Sequence, residues 1–205
     1  MQTAQSRIGK YQPRKAGIRI TQIEADSPRR GEVEAFIRLV FARHYGASVA
    51  SFAPQLLILE QDGSIVAAAG WRDAGTGPLF LERYLDQPIE TVMTQLIGRP
   101  VQREHIVEVG NLAADRSGSS RYIFTDLAAR LDQRGHEWVV FTATRELIGI
   151  FARLGLPLLV LGKADPARLG ADATAWGRYY ETEPIVVVGR VRHGLDRLER
   201  MAPPA

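Results

Sequence analysis

One carboxylate stands in the middle of an apolar stretch of the sequence. Glu108 lies between Val107 and Val109 in a segment that otherwise predicts a central strand. Burying a carboxylate costs free energy unless the group is paired or takes part in chemistry. Glu108 is therefore predicted to be a general base that accepts a proton. The alternative is one half of a structural ion pair with Arg72 or Arg121.

The two residues that follow this stretch predict an irregularity in the strand. Gly110 and Asn111 favour a bulge, which would splay the strand from its neighbour and open a slot for a ligand. Asn111 could donate a hydrogen bond to a carbonyl oxygen in that slot. It could equally be an amide that only shapes the turn.

A loop rich in serine and arginine comes next. The first backbone N–H groups of a helix lack internal partners, and the helix dipole favours an anion there. Glycine permits close approach of a ligand, and arginine donates to phosphate through two N–H groups. The loop therefore predicts a phosphate site, although it could also be a simple helix cap with solubilising arginines. The residues concerned are Arg116, Gly118, Ser119, Ser120 and Arg121.

The elements that would position these residues follow from hydrophobic spacing. A strand at 106–113, a helix at 121–134, a fully apolar strand at 138–143 and a helix capped by Thr144 surround the loop. Across the chain the pattern predicts one α/β domain with a mixed sheet. Further predictions are a strand or extended segment at 79–85, strands at 156–161 and 184–191, and a short polar helix at 194–201. The predicted boundaries are a flexible basic arm at 1–16, the domain at 17–192 and a C-terminal tail at 193–205.

Composition narrows the function classes. The chain has 205 residues, a net charge of +3, no cysteine and four scattered histidines. Thiolate catalysis and disulfides are excluded, and no metal site is expected. No basic stripe interleaved with aromatic residues suggests nucleic-acid binding. No stretch has the length of a signal peptide or a membrane span, so a cytoplasmic location with at most peripheral membrane contact is expected.

The strand, anion loop and helix resemble the central part of GNAT acyltransferases. In that superfamily a loop of the type Q/R-x-x-G-x-G/A holds the pyrophosphate of coenzyme A. The segment from Arg116 to Arg121 resembles a degenerate version of it. The family's usual tyrosine general acid corresponds to Phe151 here. The resemblance implies a single-domain GNAT-like mixed sheet, mostly antiparallel, flanked by helices and with a splayed central strand.

A longer resemblance, from about Phe36 to Gly189, is to the thermostable hemolysin family. That name describes lysis and specifies no chemistry. The blocks that carry the resemblance are His44-Tyr45-Gly46-Ala47, Leu79-Phe80-Leu81-Glu82, Tyr84-Leu85, Pro88-Ile89-Glu90, Glu108-Val109-Gly110-Asn111-Leu112-Ala113, Trp138 to Thr142, Arg153-Leu154-Gly155-Leu156, Trp176-Gly177 and Tyr179-Tyr180.

A third resemblance is to the acyl-homoserine-lactone synthases. These carry Glu-x-Ser-Arg-Phe on the central strand, an arginine on the preceding strand and a Thr-Gly-Pro loop. Glu108, Arg72 and the segment from Thr76 to Pro78 fall at corresponding places. Gly110 and Asn111 replace the serine and arginine of the motif. The substrate of those synthases is therefore not carried over.

Together the resemblances imply transfer of a fatty acyl group from acyl-CoA, or from the phosphopantetheine of acyl carrier protein, to the amine of a small acceptor. No metal or nucleic acid is implied. The alternatives are a membrane-active hemolysin and a catalytically inactive acyl-CoA-binding protein. The implied roles are catalysis for Glu108 and Asn111, cofactor binding for Leu112, Ala113, Arg116, Gly118, Ser119, Ser120 and Arg121, and substrate binding for Arg72, Glu82 and Tyr84.

Overall fold

The structure, a computed structural model, describes residues 17–115 and 120–201. The strands in these ranges are β1 (Ile18–Ile23), β2 (Gln55–Gln61), β3 (Ser64–Asp73), β4 (Ile106–Ala114), β5 (Trp138–Ala143), β6 (Leu159–Lys163) and β7 (Ile185–Arg190). The α-helices are α1 (Arg30–Tyr45), α2 (Ile89–Ile97), α3 (Ser120–Gln133), α4 (Arg145–Arg153) and α5 (Val191–Arg200). Short 3-10 segments include Phe80–Tyr84 and Pro166–Trp176.

The strands form one sheet in the order β1-β2-β3-β4-β5-β7-β6. The pair β4–β5 is parallel and the other neighbouring pairs are antiparallel. Helices cover both faces, which explains why most residues of the central strands are apolar on either face. The predicted mixed, mostly antiparallel sheet in a single α/β domain is confirmed.

The sheet opens between β4 and β5. These strands pair only from Ile106 opposite Trp138 to Glu108 opposite Val140. Beyond this point, residues 109–114 of β4 have no strand partner on that side within the described ranges. The predicted splay of the central strand is therefore present, and Glu108 lies at its vertex.

A bulge in β4 lies next to this opening. Opposite β3, Gly110 pairs with Gly70 and Ala113 pairs with Ala68. Between these two pairs β4 therefore contains one residue more than β3. Asn111 has a φ of 49°, which is uncommon for a residue other than glycine. The predicted bulge is confirmed. It interrupts the regular alternation of side chains along β4.

Two apolar layers enclose the sheet. On one face, α1 packs Ile37 and Phe41 against Leu56 and Ile58 of β2. On the other face, β2 and β3 pack against helices α3 and α5. The buried residues of this second layer include Leu57, Leu59, Ala67, Trp71, Ile123, Leu127, Val191 and Leu198.

The strand or extended segment predicted at 79–85 is wrong, because Phe80–Tyr84 forms a 3-10 segment. Strand β3 already pairs with β2 on one side and with β4 on the other, so this segment cannot pair with β3 as a strand. In addition, the carboxylate of Glu82 accepts hydrogen bonds from the backbone N–H groups of Leu79 (2.8 Å) and Ile89 (2.9 Å). These bonds satisfy backbone donors locally and favour a turn.

Two other boundaries also shift. Helix α5 begins at Val191 and buries Leu195 and Leu198 as well, so residues 193–200 belong to the folded domain and do not form a tail. Strand β6 begins at Leu159, two residues after Pro157, which lacks a backbone donor. The predicted arm at 1–16 lies outside the described residues.

Candidate active site

A cavity of about 450 Å³ occupies the opening between β4 and β5. Its walls come from the C-terminal end of α1, from β4 after the vertex, from the start of α4 and from two aromatic segments. Among the ionisable residues that line it are His44, Arg72, Glu108 and Glu146. Several of the residues predicted to do chemistry therefore meet in one place.

Glu108 lies at the base of this cavity and is 9% exposed. One carboxylate oxygen accepts the N–H of Phe80 at 2.8 Å, and the other accepts the N–H of Leu81 at 2.9 Å. Burial raises the pKa of Glu108, and these two bonds and the positive charge of Arg72 only partly offset the increase. A carboxylate with a raised pKa in a cavity suits general base catalysis near neutral pH.

Arg72 stands directly opposite Glu108 in the register of β3 and β4. Residues paired in this way project from the same face of a sheet, and both line the cavity. Arg72 donates to the carbonyl oxygen of Pro78 at 3.3 Å. Among the described residues it forms no ion pair, so the predicted structural pair with Glu108 is not formed. The side chain of Arg121, the other predicted partner, lies outside the described residues.

Asn111 lines the cavity, but its side chain already has partners. Its oxygen accepts the N–H of Ala53 at 2.8 Å, and its amide nitrogen donates to the carbonyl oxygen of Ser51 at 3.4 Å. The amide thus fixes the segment 51–53 to the bulge. This arrangement favours the alternative in which the amide shapes the local backbone.

Leu112 and Ala113, the two β4 residues predicted to bind the cofactor, lie in different environments. Leu112 lines the cavity. Ala113 is 1% exposed and packs with Ile58 and Ala68 under α1. Successive residues of a strand point to opposite faces, so a side-chain role for Ala113 in the cavity is wrong.

The predicted phosphate loop falls largely outside the described residues. This applies to Arg116, Gly118 and Ser119, and to the side chains of Ser120 and Arg121. What the structure does give is the position of the flanking elements. Strand β4 ends at Ala114, and α3 begins at Ser120. The loop therefore connects the unpaired part of β4 to the N-terminus of α3.

The predicted substrate residues Tyr84 and Glu82 also have different positions. Tyr84 lines the cavity, and its hydroxyl lies 2.6 Å from that of Tyr180. Glu82 is absent from the cavity wall. It instead forms two short hydrogen bonds with the guanidinium of Arg103, at 2.6 and 2.8 Å. Its predicted role in substrate binding is therefore replaced by a structural one.

This structural role makes the protein sensitive to acid. Burial alone would raise the pKa of Glu82, but hydrogen bonds from Arg103, Ile89 and Leu79 lower it to about 2. The resulting stabilisation is complete above the ordinary pKa of about 4.3 and is lost as the pH falls towards 2. Arg103→Met should cost about 3 kcal/mol of unfolding free energy at pH 7, because it leaves Glu82 and Glu90 without their cation.

Thermal melts from pH 7 to pH 2.5 test this prediction. The loss of stability in Arg103→Met should be greatest at pH 7 and should shrink as the pH falls. The control is Arg192→Met, whose ion pair with Asp132 is exposed to solvent and should contribute little to stability. Equal melting temperatures for the two variants at pH 7 would contradict the structural role of Arg103.

The structure reveals an aromatic wall of the cavity, of which the sequence assigned only Tyr84 to the site. Neighbouring ring centroids along it lie 5.2 to 6.0 Å apart. The order of the rings is Phe41, Tyr45, Tyr179, Trp176, Phe80 and Tyr84, and all six line the cavity. We call these six residues the aromatic belt.

Gly177 fixes half of the aromatic belt against α1. Arg178 donates its N–H to the carbonyl oxygen of Tyr45 at 2.8 Å, and Ser48 donates to that of Ala175 at 2.6 Å. Gly177 has a φ of 53°, and a Cβ atom there would lie 2.3 Å from the carbonyl oxygen of Tyr45. Only glycine permits this approach.

Gly177→Ala is therefore expected to displace Trp176 and to lower the melting temperature. Gly170→Ala is a matched control, since Gly170 has nearly the same φ and ψ, with no atom within 4 Å of an added Cβ. The control should lose only the stability that it costs to hold an alanine in this backbone conformation, about 1–3 kcal/mol. Gly177→Ala should lose more and should also change tryptophan fluorescence. Equal losses and identical fluorescence in the two variants would contradict the close approach.

A second, apolar cavity of about 100 Å³ adjoins the first. Five residues line both cavities, which places the second one directly behind the splayed strands. They are Val109, Leu112, Phe124, Phe141 and Leu147. Phe151, which stands where GNAT enzymes carry a tyrosine, packs here between Phe124 and Phe141 at centroid distances of 5.5 and 5.2 Å. Phe151 therefore belongs to an apolar wall and carries no acidic proton.

In residues 17–115 and 120–201 no helix combines the length and the hydropathy that crossing a membrane requires. The same ranges contain no group of three or more His, Asp or Glu side chains arranged to hold a metal ion.

The fold is similar to that of several solved acyl-transferring enzymes. A CoA-dependent acyl-homoserine lactone synthase, BjaI, in complex with MTA, aligns at a TM-score of 0.62 and 16% identity over 92% of each chain. The acyl-homoserine-lactone synthase LasI aligns at 0.57 and 16%, over 85% of this chain and 89% of its own. FeeM, an N-acyl amino acid synthase, aligns at 0.60 and 12%, over 90% and 98%. These similarities confirm the GNAT-like fold.

Sequence comparison gives the family directly. No curated protein matches the chain in sequence. The family model described as thermostable hemolysin matches residues 23–195, which include every described element from the end of β1 to the first half of α5. The chain belongs to the thermostable hemolysin family.

Proposed function

We propose that the protein is an N-acyltransferase that moves a fatty acyl group from a thioester to the amine of a small acceptor. The observation that carries the proposal is the opening between β4 and β5, with the buried carboxylate of Glu108 at its vertex. The donor is acyl-CoA or acyl carrier protein. The folds of the synthases described above support the same class of reaction.

The unpaired part of β4 supports binding of the donor. On the side that faces β5, the backbone N–H and C=O groups of residues 109–114 have no strand partner among the described residues. An extended pantetheine arm can add to such an edge as an extra strand. Beyond it, Arg116, Gly118, Ser119, Ser120 and Arg121 would hold the phosphates at the N-terminus of α3.

The second cavity supports a fatty acyl group as the transferred unit. It lies behind the splayed strands and is almost wholly apolar in its lining. An acyl chain entering between Val109 and Phe141 would leave its thioester carbonyl close to the bulge. The backbone N–H groups of the bulge could then stabilise the oxyanion.

The chemistry follows from the position of Glu108. An ammonium must lose one proton before its nitrogen can attack a thioester, and Glu108 accepts that proton. The nitrogen bonds to the carbonyl carbon, and the carbon–sulfur bond breaks as the tetrahedral intermediate collapses and the nitrogen releases a second proton to solvent. The thiolate takes the proton held by Glu108, which restores the carboxylate. The product is an amide bearing a fatty chain, an amphiphile of the kind that can disrupt membranes and so connect the reaction to lysis.

The test is release of free thiol from purified protein supplied with a long-chain acyl-CoA or acyl carrier protein. Release should require an added primary amine and should saturate with both substrates. Thiol release that is independent of every amine offered, or no release at all although the donor binds, would contradict the proposal. In the second case the protein would be an acyl-CoA-binding module.

A further inference from the structure

The cavity carries two opposite charges side by side. Arg72 and Glu108 face the same side of the sheet from paired positions on β3 and β4. The charge of Arg72 is close enough to lower the pKa of Glu108, although burial outweighs it. The carboxylate accepts hydrogen bonds from the backbone N–H groups of Phe80 and Leu81. Within the described part of the chain, the guanidinium of Arg72 donates to one carbonyl oxygen, at 3.3 Å. Arg72 thus retains N–H donors that can bind a ligand.

We propose that the acceptor is an α-amino acid whose carboxylate binds Arg72 and whose amine faces Glu108. This inference rests on the function proposed above. A guanidinium matches a carboxylate through two parallel hydrogen bonds. An acceptor without a carboxylate would leave the half-buried charge of Arg72 unpaired beside the reacting amine, which is unfavourable. The neighbouring cation and anion are complementary to the two charges of an amino acid.

The aromatic belt determines the side chain that this amino acid carries. Phe80 joins the two parts of the site, since its N–H binds Glu108 and its ring belongs to the belt. The ring centroid of Trp176 lies 5.6 Å from that of Phe80, and the centroid of Tyr179 lies 5.4 Å from that of Trp176, so the aromatic surface continues beyond Phe80. Such rings pack against apolar or aromatic side chains. The preferred acceptor is therefore an amino acid of that kind.

The experiment compares amino acids with the same molecules lacking the carboxylate. Phenylalanine is paired with 2-phenylethylamine, and leucine with 3-methylbutylamine, at a fixed acyl-CoA concentration. The readout is kcat/KM for thiol release. The wild type should prefer each amino acid by about ten- to a hundredfold, the effect of one charge-assisted contact. Arg72→Gln should bring each ratio close to one, and Arg72→Lys should retain part of the preference.

The ratio separates this inference from the proposed function. The control is Arg200→Gln, because Arg200 is exposed on α5 and does not line the cavity, so the variant should keep the wild-type ratios. Equal use of amino acids and amines by the wild type would overturn the inference and leave acyl transfer intact. A preference that persists in Arg72→Gln would also overturn it. Loss of thiol release with every amine would overturn the proposed function itself. If Arg72→Gln does not fold, the wild-type ratio alone decides.

Discussion

Glu108→Gln is expected to lower the rate of acyl transfer by about 10²–10⁴-fold, the usual effect of removing a general base. The amide keeps the shape of the side chain but cannot accept the amine proton. It also places an NH₂ group where the carboxylate accepts the N–H of Phe80 or Leu81. Leaving one buried donor unsatisfied should cost about 1–3 kcal/mol of stability. A thermal melt must therefore accompany the thiol-release assay.

Glu146→Gln is the matched control, since Glu146 is an exposed carboxylate on the wall of the same cavity. Its rate should remain within a few-fold of wild type. A folded Glu108→Gln protein with near-wild-type turnover would show that Glu108 is not the base. A Glu108→Gln protein that does not fold would assign the carboxylate to holding the segment at 80–81.

The pH dependence of kcat/KM in the wild type also tests whether Glu108 is the general base. Burial raises the pKa of Glu108 above its ordinary value. Only the ionised form can act as a base, so kcat/KM should increase with pH through an apparent pKa above about 4.3. Arg72→Gln removes a charge that lowers this pKa, so it should shift the acid limb to higher pH. An acid limb that Arg72→Gln leaves unmoved would contradict the proximity of the two groups.

The length of the acyl chain is expected to have the second large effect. Each methylene that enters the apolar cavity behind β4 and β5 should contribute about 0.8 kcal/mol of favourable binding free energy. This gain corresponds to roughly fourfold in kcat/KM per methylene. Octanoyl-CoA, with four more methylenes than butyryl-CoA, should then be used roughly two-hundredfold better. No dependence on chain length would mean that the chain does not enter this cavity.

Leu147→Trp should block the passage between the two cavities, because Leu147 lines both. The preference for octanoyl over butyryl should fall to a small factor, mainly through loss of activity with octanoyl-CoA. Leu96→Trp is the control, since Leu96 on α2 is 49% exposed and lines neither of the two cavities. An unchanged chain-length preference in Leu147→Trp would place the acyl chain elsewhere.

Local sequence patterns predicted the features that depend on neighbouring residues. The apolar run around Glu108 predicted a central strand, and Gly110-Asn111 predicted the bulge in β4. Helical spacing and the Thr144 cap predicted α4, where Thr144 accepts the N–H of Leu147. These signals were sufficient because strand alternation, helix capping and bulges are properties of short segments.

Features that depend on distant contacts were not predictable in this way. A carboxylate such as that of Glu82 is expected at a catalytic or binding site. Its hydrogen bond with Arg103, 21 positions later in the sequence, instead holds it outside the cavity. Asn111 is occupied by a backbone group 58 positions earlier. The aromatic belt joins segments from α1, from the region after β3 and from the region before β7. The close approach of Gly177 to α1, which the sequence shows only as a glycine, contributes to holding these segments together.

The most direct test of the central claim is mass spectrometry of the reaction product. Pure protein is incubated with octanoyl-CoA and an equimolar mixture of amino acids, and the product is quantified beside the free thiol. We expect an N-octanoyl amino acid in an amount equal to the thiol released, and its near absence with Glu108→Gln. Thiol released as free octanoic acid, with no amide formed, would contradict acyl transfer to an amine.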